Sequence, residues 1–422
     1  MSGARPTAAR TTVVLGLVDQ VVSSGSTFLF LVVAASALPA RDFGAVAFAF
    51  EVYLLSVFVG RGLAGDPLMS TFSGRSADRV RSGTSGAITT CLGGAVVLGV
   101  VVATVASFLG DPLRPVLLVA SVALPGLVLQ DLVRSALIVQ GRVGATLVND
   151  AVWAFGQLPV LALVISQEPT AVTVCAGWAA TGCCAAVLGL FQLRVRPGRP
   201  SSVRRWLRDT KEVWPFYLVD NMVYQLASFA LTLVVSLTAG LTAVAAFRVA
   251  MTVYAPLLII GRGVVPVGVT LLARDRERPD HVRRRALQIS ALLTPVALVA
   301  GAVTLVVPRR WGTAVFGESW VAAEPVVFLA CFVCAAGLFS IGVSIGLRAL
   351  SAGRQSLTAR LVVTAGAAVA ALVGGVLGQE HGLFLALALY FPVQAGVWWW
   401  MLRNAAREAR ERLAAEDGPR VA

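Results

Sequence analysis

Twelve apolar runs, each close to the length that crosses a bilayer, dominate this chain and leave little sequence for anything else. A helix rising 1.5 Å per residue needs about 20 apolar residues to cross the hydrocarbon. Runs of that kind fall near 13–36, 44–66, 84–108, 115–139, 144–166 and 170–193, then near 213–238, 243–271, 286–307, 323–347, 356–378 and 382–402. Hydrophobic residues make up 57% of the 422 positions and charged ones 14%, with a mean hydropathy of +0.80. Ordinary soluble domains carry about 25% charged residues, so the expectation is an all-α integral membrane protein. The remaining residues do not suffice for a separate catalytic domain.

The start of the chain imitates a secretory signal, with Arg5 and Arg10, an apolar stretch, and Ala35-Ser36-Ala37-Leu38-Pro39-Ala40. The stretch is longer than a signal's apolar region and Asp19-Gln20 interrupts it, so it reads as a retained first helix. Of the 35 Lys and Arg, 27 lie in the tails and in the connections on one side of the membrane. Four lie in the opposite connections: Arg41, Arg114, Arg309 and Arg310. The positive-inside rule then puts both termini in the cytoplasm, with the cell membrane as the compartment. The net charge of +13 is accounted for by this signal, spread over seven segments, and not by a nucleic-acid groove. Contact of those residues with anionic lipid headgroups is expected.

The sequence repeats. Leu17-Val18-Asp19-Gln20 returns as Leu218-Val219-Asp220-Asn221, and Gly60-Arg61-Gly62-Leu63 returns as Gly261-Arg262-Gly263-Val264, both 201 positions later. Farther along, Gln140-Gly141-Arg142 aligns with Ala352-Gly353-Arg354 at an offset of 212. Six spans per copy make the two copies enter the membrane in the same sense. The expected organisation is an N-lobe over 1–193, a linker over 194–212, a C-lobe over 213–402 and a cytoplasmic tail over 403–422, with a cleft between the lobes.

Charges within spans are expensive and usually face a bundle interior or a wet cavity. Here they are Asp19, Glu51, Arg61, Asp131, Arg134, Asp150, Asp220, Arg248 and Arg262. Asp131 and Arg134, three apart, are placed to pair along one helix face or to tie two helices together. Arg248 and Arg262 are fourteen apart, about 21 Å along one side of the eighth span, as a path for an anion requires. Snorkelling to the cytoplasmic surface also accounts for Arg61 and Arg262. Asp19 and Asp220, in matching places, suit a coupling site for H+ or Na+, hydrogen bonding to sugar hydroxyls, or service as counter-ions to the arginines. Asp131 and Glu51 are further candidates for coupling or counter-ion.

Other residues carry less. The six cysteines lie in apolar runs, and Cys331-Phe332-Val333-Cys334 has no nearby charge to stabilise a thiolate, which makes these residues core filler. His281 and His381 are too far apart to propose a metal site. Trp398-Trp399-Trp400 reads as an interfacial belt, Trp311 and Trp320 as residues lying at the outer headgroups, and the charged stretch from Arg403 to Glu416 as a solvated or membrane-surface helix. No paired carboxylates, Ser/His/Asp set, phosphate loop or metal cluster stands at usable spacing, so neither an enzyme nor a bound cofactor is expected.

Several blocks together resemble the polysaccharide biosynthesis, or oligosaccharide flippase (Wzx-like), branch of the multidrug/oligosaccharidyl-lipid/polysaccharide exporter superfamily. Asp19-Gln20 with Ser23-Ser24, then Ala40-Arg41-Asp42-Phe43-Gly44, is similar to that family's first helix and outer turn, and Gly60-Arg61-Gly62-Leu63 with Asp66-Pro67-Leu68 to the end of its second helix. The most specific block joins Gln130-Asp131 and Arg134, Gln140-Gly141-Arg142, and Asn149-Asp150 with Trp153; Phe316-Gly317-Glu318-Ser319-Trp320 resembles the segment before helix ten. The resemblance implies two six-helix lobes around a cationic cavity that translocates a polyprenyl-(pyro)phosphate-linked glycan by alternating access, with a glycan polymerase or glycosyltransferases as partners. Arg248, Arg262, Arg61 and Arg134 are the residues available to line such a cavity. The chain departs from the lipid II flippases, which have fourteen spans and more arginines in their first helices, and this points away from a peptidoglycan precursor. A cation-coupled multidrug exporter of the same fold and a non-transporting scaffold of a glycan-synthesis complex stay open as alternatives.

Overall fold

The computed structural model describes the backbone of residues 6–416 and the side chains of 22–414, apart from those of Tyr224, Ala227, Arg262, Gly263, Pro266, Val267, Thr270 and Glu380. Every regular element among the described residues is helical. We number them α1 (Pro6–Ala37), α2 (Ala40–Phe72), α3 (Ala77–Ala106), α4 (Leu113–Val139), α5 (Val143–Ile165), α6 (Ala171–Leu193) and the short α7 (Ser201–Asp209). The second set is α8 (214–239), α9 (241–273), α10 (Pro279–Thr304), the short α11 (Arg309–Phe316), α12 (Glu318–Ala349), α13 (Gly353–Gln379) and α14 (His381–Ala414).

Among the described residues, ten helical stretches are long and apolar enough to cross a membrane, one of them running unbroken over the α8–α9 junction. Dividing that one at Gly240 and adding α1, whose apolar stretch is Val22–Ala37, gives the twelve spans read from the sequence. Gly240 makes the division with φ of 81° and ψ of −177°, a conformation open to glycine and strained for other residues. The first two spans are joined as tightly: α1 ends at Ala37 and α2 begins at Ala40 after Pro39, whose missing N–H costs nothing ahead of a first helical turn. Thr170 and Thr173 exchange side chain to backbone hydrogen bonds of 3.2 and 2.9 Å to open α6 with a capping box.

The chain divides into two compact units, Met1–Phe229 and Ala230–Ala422, so the boundary falls within α8. In the first unit α4 is the hub, apolar nearly all round and packed against α2, α3, α5 and α6. The segment between the sequence halves is folded into this unit: α7 packs on α3 and buries Trp206, which stacks on Phe72 with ring centroids 5.6 Å apart. In the second unit α12 is the hub, against α10 and the α13–α14 pair.

Between helices in lipid there is little hydrophobic drive, so close packing at small residues does much of the work. The contacts made this way repeat in the two halves. A Cβ on Gly60 of α2 would meet Val128 of α4 at 2.5 Å, and one on Gly261 of α9 would meet Leu338 of α12 at 2.7 Å. Gly99 of α3 lies against the carbonyl oxygen of Ser121 on α4, and Gly301 of α10 lies against Cys331 on α12. The duplication is therefore a duplication of helix contacts as well as of letters.

Three surface readings change. Trp320 is buried, stacked on Phe316 at 5.9 Å and covering Gly312, because α11 folds back over the start of α12; Trp311 alone of that pair is exposed. Trp399 and Trp400 face outward, but Trp398 turns into the unit, as consecutive residues on a helix must diverge by 100°. The charged stretch after Arg403 continues α14 as far as Ala414. It buries Ala405, Ala406 and Ala409 and is tied to α10 by Arg410 and Asp280, 3.0 Å apart.

Gly62 supplies a stability test, since an added Cβ would lie 2.5 Å from the Cα of Leu218. Gly62→Ala is expected to cost about 1–3 kcal/mol and to lower the melting temperature in detergent. Gly93→Ala, which meets nothing within 4 Å, is expected to keep or raise it.

Candidate functional site

Arg61, Asp131, Arg134 and Asp150 gather where α2, α4, α5 and α6 meet, at the end that bears the basic connections. One turn of α4 supplies Gln130, Asp131 and Arg134. Asp131 faces α2, where it accepts from Nε of Arg61 at 2.9 Å and from Nη2 at 2.6 Å, a two-pronged pair. Gln130 and Arg134 face α5: Gln130 donates to Asp150 at 2.8 Å and Asn149 at 3.2 Å, and Arg134 Nε stands 3.4 Å from Asp150. Asn149 in turn donates to the carbonyl oxygen of Ala185 and to the side chain of Gln192 on α6.

Asp131 and Arg134 thus do not pair along their own helix. Each takes a partner on a neighbouring helix, Arg61 and Asp150 respectively, so the charges tie helices together. Their i, i+3 spacing puts both on the same side of α4, yet the flanking helices offer opposite charges in better geometry. A planar guanidinium on a carboxylate makes two parallel hydrogen bonds, stronger than a single charge contact along a helix.

Arg61 sits in an unusual stretch of backbone. From Arg61 to Gly65 the helix widens, and the N–H of Asp66 bonds the carbonyl oxygen of Arg61 five residues back. The cause is Pro67, which has no N–H for the carbonyl of Leu63 and whose ring crowds it. The orphaned oxygen is satisfied from elsewhere: Nε1 of Trp206 on α7 donates to it at 2.9 Å. Gly60 and Gly62 flank Arg61 and let α4 and α8 approach α2 within contact of its backbone. Arg61 spends two of its five N–H groups on Asp131, its side chain stays 36% exposed, and its charged carbon lies 5.2 Å from the centre of the Phe58 ring.

The beginning of α8 is joined to α2 by two more carboxylates. Asp66 accepts from Asn221 at 2.7 Å, and Glu51, 2% exposed, accepts from Gln225 and Ser228 at 3.1 Å each. Next to Glu51 on α2, an aromatic cluster closes the unit: Tyr53 meets the edge of Trp178 at 5.0 Å and Trp153 at 6.5 Å, and Phe30 stacks on Trp178 at 4.9 Å.

The remaining candidates are placed differently. Asp220 is half-buried on α8 beside Asn221. Arg248 is half-buried on α9 within the second unit, among buried Ala246, Phe247, Val249 and Ala250. The side chains of Asp19 and Arg262 lie outside the described residues. The structure therefore pairs Arg61 with Asp131 and Arg134 with Asp150, two ties that start from one turn of α4, and adds neutral partners that charge counting passes over: Gln130, Asn149 and Gln192, with Gln225 and Ser228 at Glu51. Gln130 and Asn149 stand directly beside a span's charge in the sequence, whereas Gln192, Gln225 and Ser228 carry no such signal.

Two measurements test this network. Arg61→Met strands a carboxylate and Asp131→Leu strands a guanidinium, so each single change is expected to destabilise more than the two combined. The loss stays below the ~3–5 kcal/mol of a fully buried pair, because water reaches Arg61; a double variant less stable than both singles in denaturant titration would contradict the pairing. Trp206→Phe, which keeps the stack on Phe72 but leaves the Leu63 carbonyl without a donor, is expected to cost about 1–3 kcal/mol.

No protein-family model matches the chain, and no curated protein matches it in sequence. Its fold does have counterparts among solved structures. A multidrug resistance MATE family transporter of the MOP superfamily, in an inward-facing conformation, matches with a TM-score of 0.70 at 14% identity, over 95% of this chain and 99% of the other. The lipid II flippase MurJ, in an inward closed conformation, matches with a TM-score of 0.71 at 10% identity, over 96% and 91%. An outward-facing MATE transporter of the same superfamily matches at 0.59 and 14%, over 97% and 96%. At such identities the likeness is one of fold: this chain has the all-helical, multi-pass membrane fold shared by MATE transporters and MurJ.

Proposed function

We propose that this protein is a membrane transporter that carries a polyprenyl-(pyro)phosphate-linked oligosaccharide from the cytoplasmic to the outer leaflet, exposing its site to the two sides in turn. The observation that carries the reading is Arg61. Its pairing with Asp131 holds a full positive charge within a span, while three N–H groups and a third of its surface stay available to a phosphate oxygen. A carrier whose diphosphate must leave water needs such fixed charges in place of lost hydration. Arg134, Arg248 and Arg262 are further candidates for the same task, and the fold held in common with a lipid II flippase supports a lipid-linked cargo. The protein makes and breaks no bond in this scheme. The energy source we assign is the membrane potential or an H+ or Na+ at a carboxylate. Both termini lie in the cytoplasm in this reading, and glycosyltransferases or a polymerase supply and consume the glycan.

A second reading, a cation-coupled drug exporter, draws on Glu51. A carboxylate only 2% exposed, within a span and hydrogen-bonded by Gln225 and Ser228, is placed to hold a coupling cation. The fold shared with multidrug MATE transporters is equally compatible with it.

The deciding experiment is reconstitution in liposomes with a fluorescent polyprenyl-diphosphate oligosaccharide, scored by accessibility to an added reductant. The wild type is expected to equilibrate the probe between leaflets, and Arg61→Ala and Arg248→Ala, at equal insertion, to slow it by about tenfold or more, the equivalent of one charge-assisted hydrogen bond. Normal rates in both variants would overturn the flippase reading. Uptake of a cationic dye that is lost in Glu51→Gln or Asp19→Asn, with no movement of the lipid probe, would establish the exporter.

A further inference from the structure

A cavity of the first unit lies away from the Arg61 network, beside Trp206. It is a groove of about 1350 Å³ between the start of α3, the end of α6 and the 194–209 segment. Five arginines line it, Arg81, Arg194, Arg196, Arg199 and Arg205, against two carboxylates, Asp78 and Asp209. All five side chains are exposed, and none forms an ion pair among the described residues, whereas Asp209 is already engaged by Arg208 at 3.5 Å. Guanidinium groups gathered in one concavity repel one another, and an anion relieves that repulsion.

The groove is built and held in shape. Ser85 of α3 donates to the carbonyl oxygen of Arg196 at 2.9 Å, and the N–H of Gly198 donates to Thr89 at 2.7 Å, so two hydroxyls of α3 fix the backbone that carries Arg194, Arg196 and Arg199. Packing of Trp206 between Phe72 and Gly86 forms the floor. One wall is different in character: Val187 and Phe191 of α6 are 53% and 74% exposed. They belong to a helix apolar enough to cross the membrane, so the groove has an apolar wall opposite its arginines.

A cationic basin that opens sideways onto apolar side chains matches a molecule with an anionic head and a greasy end. We propose that this groove binds the phosphate headgroup of an anionic membrane lipid, with the arginines on the phosphate and Val187 and Phe191 against the glycerol and first acyl carbons. A free phosphate ester presents the same charge but leaves that wall uncovered, which is why the lipid is assigned. The site is independent of any transported cargo, since its arginines are not those of the Arg61 network.

Native mass spectrometry of the full-length protein released from detergent tests it, with phosphatidylglycerol, phosphatidylcholine and glycerol 3-phosphate as probes. Phosphatidylglycerol is expected to stay bound and to exceed phosphatidylcholine about tenfold, and Arg194→Gln/Arg196→Gln/Arg199→Gln to weaken it by on the order of tenfold or more. Phe191→Gln is expected to weaken the lipid without changing glycerol 3-phosphate adducts. If the triple variant does not purify as a monodisperse protein, Arg81→Gln/Arg205→Gln reads the same groove from its other walls. Unchanged phosphatidylglycerol binding in the variants, or equal retention of phosphatidylcholine, would overturn the proposal. Displacement of the lipid by an equal concentration of glycerol 3-phosphate would assign the groove to a free phosphate ester and overturn it as well.

Discussion

A guanidinium in hydrocarbon has two ways to survive: reach water, or find a carboxylate and share its protons with it. Arg61 does some of each, and the arrangement of the first unit follows from that compromise. Its pair with Asp131 fixes α2 against α4, the Gln130, Arg134 and Asp150 contacts fix α4 against α5, and Asn149 and Gln192 extend the tie to α6. Apolar packing alone does not select among rotations of greasy helices, because lipid tails are as good a neighbour as another leucine. A polar pair left unmade inside the membrane is costly, and so it selects one.

Glycine does complementary work. The paired contacts of Gly60 and Gly261, and of Gly99 and Gly301, set helix separations at the same places in both halves. They keep the same pairs of helices in contact in both halves although the side chains around them differ. The solved MATE and MurJ structures share this fold at 10–14% identity over more than nine-tenths of the chain.

The architecture was legible in the sequence because its signals are long. An apolar run of 20 residues leaves one structural option in lipid, and Gly240 and Pro39 mark joints where runs abut. The membrane charges were legible as a set, and the motif of Gln130, Asp131, Arg134, Asn149 and Asp150 is the network found. Their pairing was not, because spacing along one helix says nothing about what a neighbouring helix presents at that depth: Asp131 turns to Arg61, seventy residues back. Burial of Trp320 and Trp398 was illegible for the same reason, since an aromatic residue at a span's end looks alike whether it faces lipid or a returning helix. The folded state of the 194–212 segment was hidden behind its arginines, with Val195 and Trp206 as its buried apolar anchors.

Trp206 also sets an order of assembly. Proline at 67 leaves α2 one hydrogen bond short by its own means, and the donor that completes it comes 143 residues later in the chain. A ribosome making this protein inserts six spans before the missing group leaves the exit tunnel. Until then the carbonyl of Leu63, two residues beyond Arg61, lacks the donor that Trp206 supplies. The seal on the first half is thus placed by the segment that opens the second, so a translation product that stops at residue 193 contains every helix of that half without the group that closes it.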